Sequence, residues 1–295
     1  MSRLAEHRPQ TTVLDLARKV GEGGRLVMLT AYDAPTAHIA DAAGVDMILV
    51  GDSVGNVCLG FENTLPVSVA MMNHHLEAVA RTQPKAFLVA DMPYLSCRLG
   101  VEEALRTACG FLQRGAQAVK VEGGRTRLDL VKALVEADVP VMAHLGLMPQ
   151  SVHAMGGYKV QGREAAGAVR LLEDALALEA AGAFSVLLEG VPADLAAAAT
   201  RLLKVPTIGI GAGPDCSGQV LVFHDLLGLL PGPRAKFVRT YLEGLDLCTS
   251  AISNWINDIQ TGNFPGPRES YMLSDEVLQA VRAFEAPRSE SSGRE

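Results

Sequence analysis

The chain has 295 residues, of which 48% are hydrophobic and 20% are charged, and its formal net charge is −7. The composition is typical of a globular protein with a large core, and the length suits one α/β barrel or one large doubly wound sheet. An acidic chain without a Lys- or Arg-rich run argues against nucleic acid and anionic membrane surfaces as partners.

The five cysteines form an odd set without any CxxC pair: Cys58, Cys97, Cys109, Cys216 and Cys248. This pattern argues against a disulfide framework or a structural zinc site and favours a reducing compartment. No apolar run has the length of a membrane span, and none follows Met1 as in a signal peptide. We therefore predict a cytoplasmic protein. A mitochondrial location is the alternative for a eukaryotic chain, although Glu6 between Arg3 and Arg8 is not typical of a presequence.

Short apolar runs alternate with amphipathic segments from Arg25 onward. In chain order the predicted strands are RLVMLT, DMILVG, AFLVAD, AVKVE, VPVMAHLG, FSVLLE, VPTIGIG and QVLVF. Segments such as LPVSVAMMNHHLEAVAR, which we expect to open at Pro66 near its first turn, and VEEALRTACGFLQRG predict helices between them. The alternation predicts a parallel sheet, and strands rich in Val, Ile and Leu indicate that both of its faces are covered. Eight repeats favour a (β/α)8 barrel, with an open doubly wound sheet as the alternative.

Segments outside this rhythm define the predicted domain limits. Residues 1–24 contain TVLDLARKV, a predicted helix that caps the bottom of a barrel spanning 25–270. A helical extension, 271–286, contains DEVLQAVRAF, and the polar segment 287–295 is predicted to be a disordered tail.

Titratable side chains stand at or near the ends of five predicted strands: Asp52, Asp91, Lys120, Glu122, His144 and Glu189. Taken singly, each acid is as readily a helix N-cap or a loop residue, and the histidine as readily a hydrogen-bonded core residue. In a parallel barrel, however, all strand ends gather at one rim, which is where the active site of that fold lies. Like charges that converge repel one another unless a cation offsets them, and ligands with only oxygen atoms favour Mg²⁺.

Asp52 and Asp91 are the expected direct ligands of this Mg²⁺, and Glu122 would reach it directly or through a water molecule. The long segment LMPQSVHAMGGYKVQGR after the fifth strand has a Gly-Gly pair. Its length predicts a lid over the site.

A set of motifs spread over the chain is similar to one known family. TAYD, LVGDSVGN, TLPV, AVKVEGG, AHLGLMPQSVHAMGGYKVQGR and GIGAGPDCSGQVLVFHD stand in this order between about Thr30 and about Pro267. Together they resemble the ketopantoate (3-methyl-2-oxobutanoate) hydroxymethyltransferase family. The resemblance implies a (β/α)8 barrel of the phosphoenolpyruvate mutase/isocitrate lyase type and a homo-oligomer, a decamer in many members.

The same resemblance implies an activity. The family transfers a hydroxymethyl group from 5,10-methylenetetrahydrofolate to 3-methyl-2-oxobutanoate through an enolate that Mg²⁺ stabilises, giving 2-dehydropantoate for pantothenate and coenzyme A biosynthesis. By motif, the metal ligands are Asp52, Asp91 and Glu122. The substrate-binding residues are Asp52, Ser53, Asp91 and Lys120. Glu189 is the proton acceptor, and His144 lines the same site.

Two other interpretations remain open from the residues. One is a related Mg²⁺-dependent carbon–carbon lyase acting on a 2-keto or dicarboxylic acid, although the loop after His144 lacks the cysteine of isocitrate lyases. The other is a barrel that serves only as a binding module. Phe61 stands in GFENTLPV where family members usually carry His or Tyr, so folate contacts or details of the subunit interface are expected to differ there.

Overall fold

A computed structural model of the chain describes residues 9–289. The structure divides into two compact units, one that ends at Leu242 and one that begins at Glu243. The first unit holds every strand of the described residues.

Eight parallel strands of the described residues close into a barrel in chain order. They are β1 (Leu26–Thr30), β2 (Met47–Val50), β3 (Phe87–Asp91), β4 (Ala118–Glu122), β5 (Val141–Gly146), β6 (Ser185–Glu189), β7 (Thr207–Ile210) and β8 (Gly218–Leu221). The pairing of β1 with β8, which runs from Leu26 opposite Gly218 to Leu29 opposite Leu221, closes the circle. The predicted barrel is confirmed, and the open sheet is excluded because neither β1 nor β8 is an edge.

Helices lie before the first strand, between strands and after the last strand. They are α1 (Val13–Gly21), α2 (Ala34–Ala43), α3 (Val54–Val57), α4 (Val69–Ala80), α5 (Val101–Gln113), α6 (Leu128–Glu136), α7 (Val152–Met155), α8 (Ala165–Ala180), α9 (Ala193–Leu202), α10 (Phe223–Leu226), α11 (Gly244–Gln260) and α12 (Asp275–Ser289). In the part of the chain described here, no helix combines the length and apolarity that crossing a bilayer requires.

The start of α4 differs from the prediction. Pro66 lies before the helix, which begins at Val69 with Ser68 as its N-cap. The Ser68 backbone is extended, and its Oγ accepts a hydrogen bond from the Met71 amide at 3.2 Å. The predicted start of this helix at Pro66 was therefore wrong. The helix begins after Ser68, because that serine accepts a hydrogen bond from a free N–H of the first turn.

α1 contributes one fully buried side chain, Leu16, to the core inside the barrel, and its Val13 and Val20 pack against the same cluster. Leu16 is 2% exposed and packs in a cluster with residues near the starts of strands, such as Leu26, Met47 and Phe87. A capping box between Thr12 and Asp15 begins the helix. Apolar packing thus fills the N-terminal end of the barrel and leaves the carboxyl ends of the strands for polar residues.

The C-terminal segments are only partly described. α12 contains the predicted helix DEVLQAVRAF, and residues 290–295 of the predicted tail lie outside the described residues. The predicted domain limits stay predictions.

The strand register sets titratable residues side by side at the carboxyl rim. Asp91 of β3 pairs with Lys120 of β4, and Glu122 at the end of β4 pairs with His144 of β5. Glu189 at the end of β6 pairs with Gly146. Because each strand lies in register with the next, residues far apart in sequence come together.

Candidate active site

Three buried carboxylates lie together at the rim, with Asp52, Asp91 and Glu122 between 2% and 4% exposed. One oxygen of each accepts a hydrogen bond from a neutral N–H group. The Asp52 amide donates to Asp91 Oδ2 at 3.1 Å, and Gln150 Nε2 donates to Asp52 Oδ2 at 2.8 Å. The Gln150 amide donates to Glu122 Oε2 at 3.1 Å. These donors orient the carboxylates without cancelling their charge.

Two basic side chains contact the cluster. Lys120 Nζ lies 2.7 Å from Asp91 Oδ1, 3.9 Å from Glu122 Oε1 and 3.2 Å from His144 Nδ1. His144 Nδ1 lies 3.4 Å from Glu122 Oε1, and its Nε2 lies 3.3 Å from Glu189 Oε2. The imidazole therefore stands between the buried acids and Glu189, whose side chain is 18% exposed.

Burial and mutual repulsion shift the pKa values of the acids. Burial, followed by the charges of Asp91 and Glu122, raises the pKa of Asp52 well above its ordinary value. Burial also raises the pKa of Asp91, against the opposing charge of Lys120. Burial acts in the same direction on Glu122, but His144 and Lys120 outweigh it and lower its pKa.

For the two basic groups, burial lowers the pKa and the neighbouring carboxylates raise it. Burial lowers the pKa of Lys120, but the charges of Asp91 and Glu122 outweigh it and raise that pKa. Burial and the Lys120 charge lower the pKa of His144, yet its contacts with Glu122 and Glu189 bring it to about 9.

The donor set fits a hard divalent cation. Glu122 Oε1 is buried and has no hydrogen-bond partner among the described residues. Four carboxylates face only one lysine and one histidine, so the group carries an excess of negative charge when ionised. Within residues 9–289, no three acidic, cysteine or histidine side chains are placed so that they could hold a metal ion together. Mg²⁺ commonly takes only one or two protein carboxylates and fills its shell with water and substrate, so this arrangement suits it.

These residues line a cavity of about 510 Å³. Most of its charged side chains come from the rim between β2 and β6, whereas β7, β8 and the segment after them supply a mainly apolar wall together with Asp225. The members of that wall include Ile210, Val220, Leu221, Leu230 and Phe237. Tyr158, from the long segment after β5, also lines the cavity. The enclosed volume therefore offers a charged side and an apolar side to a ligand.

The predicted site residues all lie in this one cavity: Asp52, Ser53, Asp91, Lys120, Glu122, His144 and Glu189. Their individual roles stay predictions. Phe61 packs against the apolar core and does not line the cavity. The following residue, Glu62, does line it.

Sequence reasoning missed two polar residues next to the site. The Tyr32 hydroxyl lies 2.8 Å from Ser53 Oγ, and Tyr32 is 1% exposed. Because Tyr32 follows β1 by two residues, the strand-end rule that found the acids could have found it too. Gln150 gave no such signal, since it lies in a loop and contacts Asp52 across 98 residues of sequence.

The chain matches the family model described as ketopantoate hydroxymethyltransferase over residues 10–267. It is 62% identical to 3-methyl-2-oxobutanoate hydroxymethyltransferase 2 of Bradyrhizobium diazoefficiens over 92% of this chain and 93% of the relative. It is also 62% identical to a protein of the same name, without the number, from a Methylobacterium species, over 88% of this chain and 90% of that one.

Solved structures with the same fold have low sequence identity. A phosphonopyruvate hydrolase in complex with oxalate and Mg²⁺ is 16% identical with a TM-score of 0.57, covering 96% of this chain and 99% of that one. A 2,3-dimethylmalate lyase of the phosphoenolpyruvate mutase/isocitrate lyase superfamily is 17% identical with a TM-score of 0.56, covering 97% and 99%. At these identities the likeness establishes the barrel architecture alone.

Proposed function

Because the chain belongs to the ketopantoate hydroxymethyltransferase family, we propose how its own residues carry out the reaction of that family. The protein is an enzyme that transfers a hydroxymethyl group to 3-methyl-2-oxobutanoate, a step of pantothenate biosynthesis. The proposed donor is 5,10-methylenetetrahydrofolate, the proposed product is 2-dehydropantoate, and the proposed metal is Mg²⁺. One observation carries the proposal: a single cavity encloses both a buried acid cluster and a separate, partly exposed glutamate.

Asp52 and Asp91 would hold Mg²⁺ directly, and Glu122 would do so through a water molecule. When bound, the metal supplies Lewis acidity at the keto oxygen of the substrate. Lys120 contributes a second positive charge beside these acids, facing the oxygen that becomes negative when C3 loses its proton. Ser53, whose hydroxyl contacts Tyr32, binds the substrate carboxylate.

Glu189 is the proposed base that removes the C3 proton. Its carboxylate lies 3.3 Å from Nε2 of the His144 imidazole, which fixes its position. The electron pair of the broken C3–H bond moves toward the keto oxygen and forms an enolate. C3 of this substrate is tertiary and weakly acidic, so the step requires both a positioned base and charge stabilisation.

The apolar wall that includes Leu221, Leu230 and Phe237 is the proposed surface for the flat ring of the folate donor. C3 then attacks the methylene carbon, which is bonded to two folate nitrogens: a carbon–carbon bond forms, the first carbon–nitrogen bond breaks, and that nitrogen takes up a proton. Water displaces the second nitrogen from the same carbon and gives up a proton to it, so tetrahydrofolate and the hydroxymethylated keto acid leave.

Exchange of the C3 proton with solvent tests base, metal and substrate together. We expect the wild-type protein to exchange this proton in D2O with Mg²⁺ and without folate, as seen by proton NMR. Glu189→Gln should slow the exchange by about 10²- to 10⁴-fold, the usual contribution of a general base.

The matched control is Glu62→Gln, which changes another glutamate that lines the cavity. This variant should exchange at close to the native rate. Native exchange by Glu189→Gln would remove Glu189 from the role of base. Exchange by the wild type that does not depend on Mg²⁺ would remove the metal from the proposal.

We also propose a cytoplasmic homo-oligomer, with a decamer as the expected form. Support comes from α11, where Leu245, Ile252, Ile256 and Ile259 recur at helical spacing and are 39–56% exposed. An apolar stripe of this kind on a helix is a common contact between subunits. The five cysteines are all unpaired, as expected in a reducing compartment.

A further inference from the structure

Gln150 is a neutral residue that connects the buried acids to the loop after β5. It is 3% exposed, and it lies in a turn of 3-10 helix, Pro149–Ser151, that precedes α7. Its backbone amide donates to Glu122 Oε2, and its side-chain amide donates to Asp52 Oδ2. A single residue therefore orients two of the three buried carboxylates.

The same Nε2 also donates to the carbonyl oxygen of Met92 at 2.9 Å. Met92 directly follows Asp91, so the Gln150 side chain joins the rim residues after β2 and β3. Both N–H groups of Nε2 are thus engaged, one by each acceptor, and the amide plane is fixed.

The amide could still be turned over, with its oxygen toward Asp52, but Arg98 prevents this. Arg98 Nη1 donates to Gln150 Oε1 at 3.1 Å and to the Tyr94 carbonyl at 2.6 Å. The guanidinium also lies 4.2 Å from the centroid of the Tyr94 ring, which it covers. A guanidinium has donors only, so the atom of Gln150 that faces it must be the oxygen. The nitrogen is then obliged to face Asp52.

We propose that Gln150, held by Arg98, is a positioning residue that presents the free oxygen of Asp52 to the divalent cation of this enzyme. The proposal rests on the metal site proposed above. The neutral amide satisfies Asp52 Oδ2 and leaves the charge of that carboxylate available, whereas a second lysine in this place would compete with the cation.

The contacts explain why an amide is suited to this place. A carboxylate at position 150 would repel Asp52 and the Met92 carbonyl, and a methionine would leave Asp52 Oδ2 buried without a donor. The backbone contact with Glu122 does not depend on the side chain at 150. Gln150→Met therefore removes the side-chain contacts with Asp52, the Met92 carbonyl and Arg98, and of the two carboxylates that Gln150 contacts it frees only Asp52.

The test is a titration with Mn²⁺, a spectroscopic substitute for Mg²⁺, followed by EPR on the full chain without substrate. Gln150→Met should weaken Mn²⁺ binding by roughly 10- to 100-fold, as changes of residues that support metal ligands commonly do. Arg98→Met should weaken it in the same sense, and Arg98→Lys, which keeps a donor toward Gln150 Oε1, should restore most of the affinity.

Gln117→Met is the matched control. Gln117 also bridges separate segments through its amide, accepting from the Leu88 amide at 2.9 Å and donating to the Thr11 carbonyl at 2.9 Å. The Gln117→Met variant should lose about as much stability as Gln150→Met but should bind Mn²⁺ with native affinity.

The outcomes separate the two proposals. A wild-type chain that binds no Mn²⁺ overturns the metal site and this inference with it. A wild-type chain that binds, together with native affinity in Gln150→Met, overturns the role of Gln150 and leaves the metal site standing. Should Gln150→Met not fold, the Arg98 pair decides: equal affinities in Arg98→Met and the wild type also overturn the proposal.

Discussion

At the scale of single residues, the position of Glu189 depends on a glycine in the neighbouring strand. Gly146 ends β5 with a φ of +97°, and a Cβ there would overlap the Glu189 carbonyl oxygen and lie 2.7 Å from Val191 Cγ1. The next amide, that of Leu147, donates to the same carbonyl at 2.7 Å. Any side chain at 146 would therefore force β5 and β6 apart at the proposed base.

Gly146→Ala should lower the free energy of unfolding by about 3 kcal/mol or more, the sum of backbone strain and overpacking. It should also slow the C3 exchange, because Glu189 is displaced. Urea denaturation and the NMR exchange assay measure the two effects.

Gly44→Ala separates the strain from the close contact. Gly44 follows α2 with a φ of +84°, and a Cβ there would meet no atom within 4 Å. The Gly44→Ala variant should lower the free energy of unfolding by about 1 kcal/mol and leave the C3 exchange at the native rate. Equal losses in the two variants would contradict the close approach of β5 and β6.

At the scale of elements, the two leucines of α1 lie in contrasting environments. Leu16 is 2% exposed in the cluster inside the barrel, whereas Leu14 is 80% exposed. Leu16→Ala should lower the free energy of unfolding by about 2–4 kcal/mol through the cavity it leaves, and Leu14→Ala by no more than about 0.5 kcal/mol.

Thermal and urea unfolding of the two variants check this expectation. The exchange assay should give native rates for both, because Leu16 packs near the starts of the strands and the proposed site lies at their ends. A loss of exchange in a folded Leu16→Ala protein would contradict that separation.

The elements show how far sequence reasoning reaches. Apolar runs that end in Asp91 or Glu122 reveal both a strand and a rim position, because strand ends in a parallel barrel share one side. The start of α4 was misplaced because Pro66 and Ser68 both signal a beginning, and only the serine side chain meets a free amide. Gln150 could not be predicted, since its partner Asp52 is distant in sequence and its loop has no period.

At the scale of the whole molecule, closure of the barrel could not follow from spacing alone. An open sheet and a barrel share the same strand–helix rhythm, and only the pairing of β1 with β8 distinguishes them. The number of subunits likewise depends on how exposed surfaces pair. An apolar pattern in the sequence indicates such a surface but does not specify what binds to it.

The apolar stripe on α11 allows the assembly to be tested. Ile256→Glu should reduce the mass of the particle, because a charge buried in a subunit contact is costly without a partner. Sedimentation velocity measures this directly. Ser250→Glu, on the opposite side of the same helix, should sediment like the wild type. A monomeric wild type, or an unchanged mass for Ile256→Glu, would contradict the proposed oligomer.

The strand order has one consequence for the growing polypeptide. Because β1 to β8 follow one another round the barrel, a ribosome has already made the whole acid cluster and the proposed base once it passes Glu189. A nascent chain halted there would carry those groups but would have open edges at β1 and β6. The remaining strands supply the proposed folate-binding wall and close the barrel, so the proposed site is complete only when β8 pairs with β1.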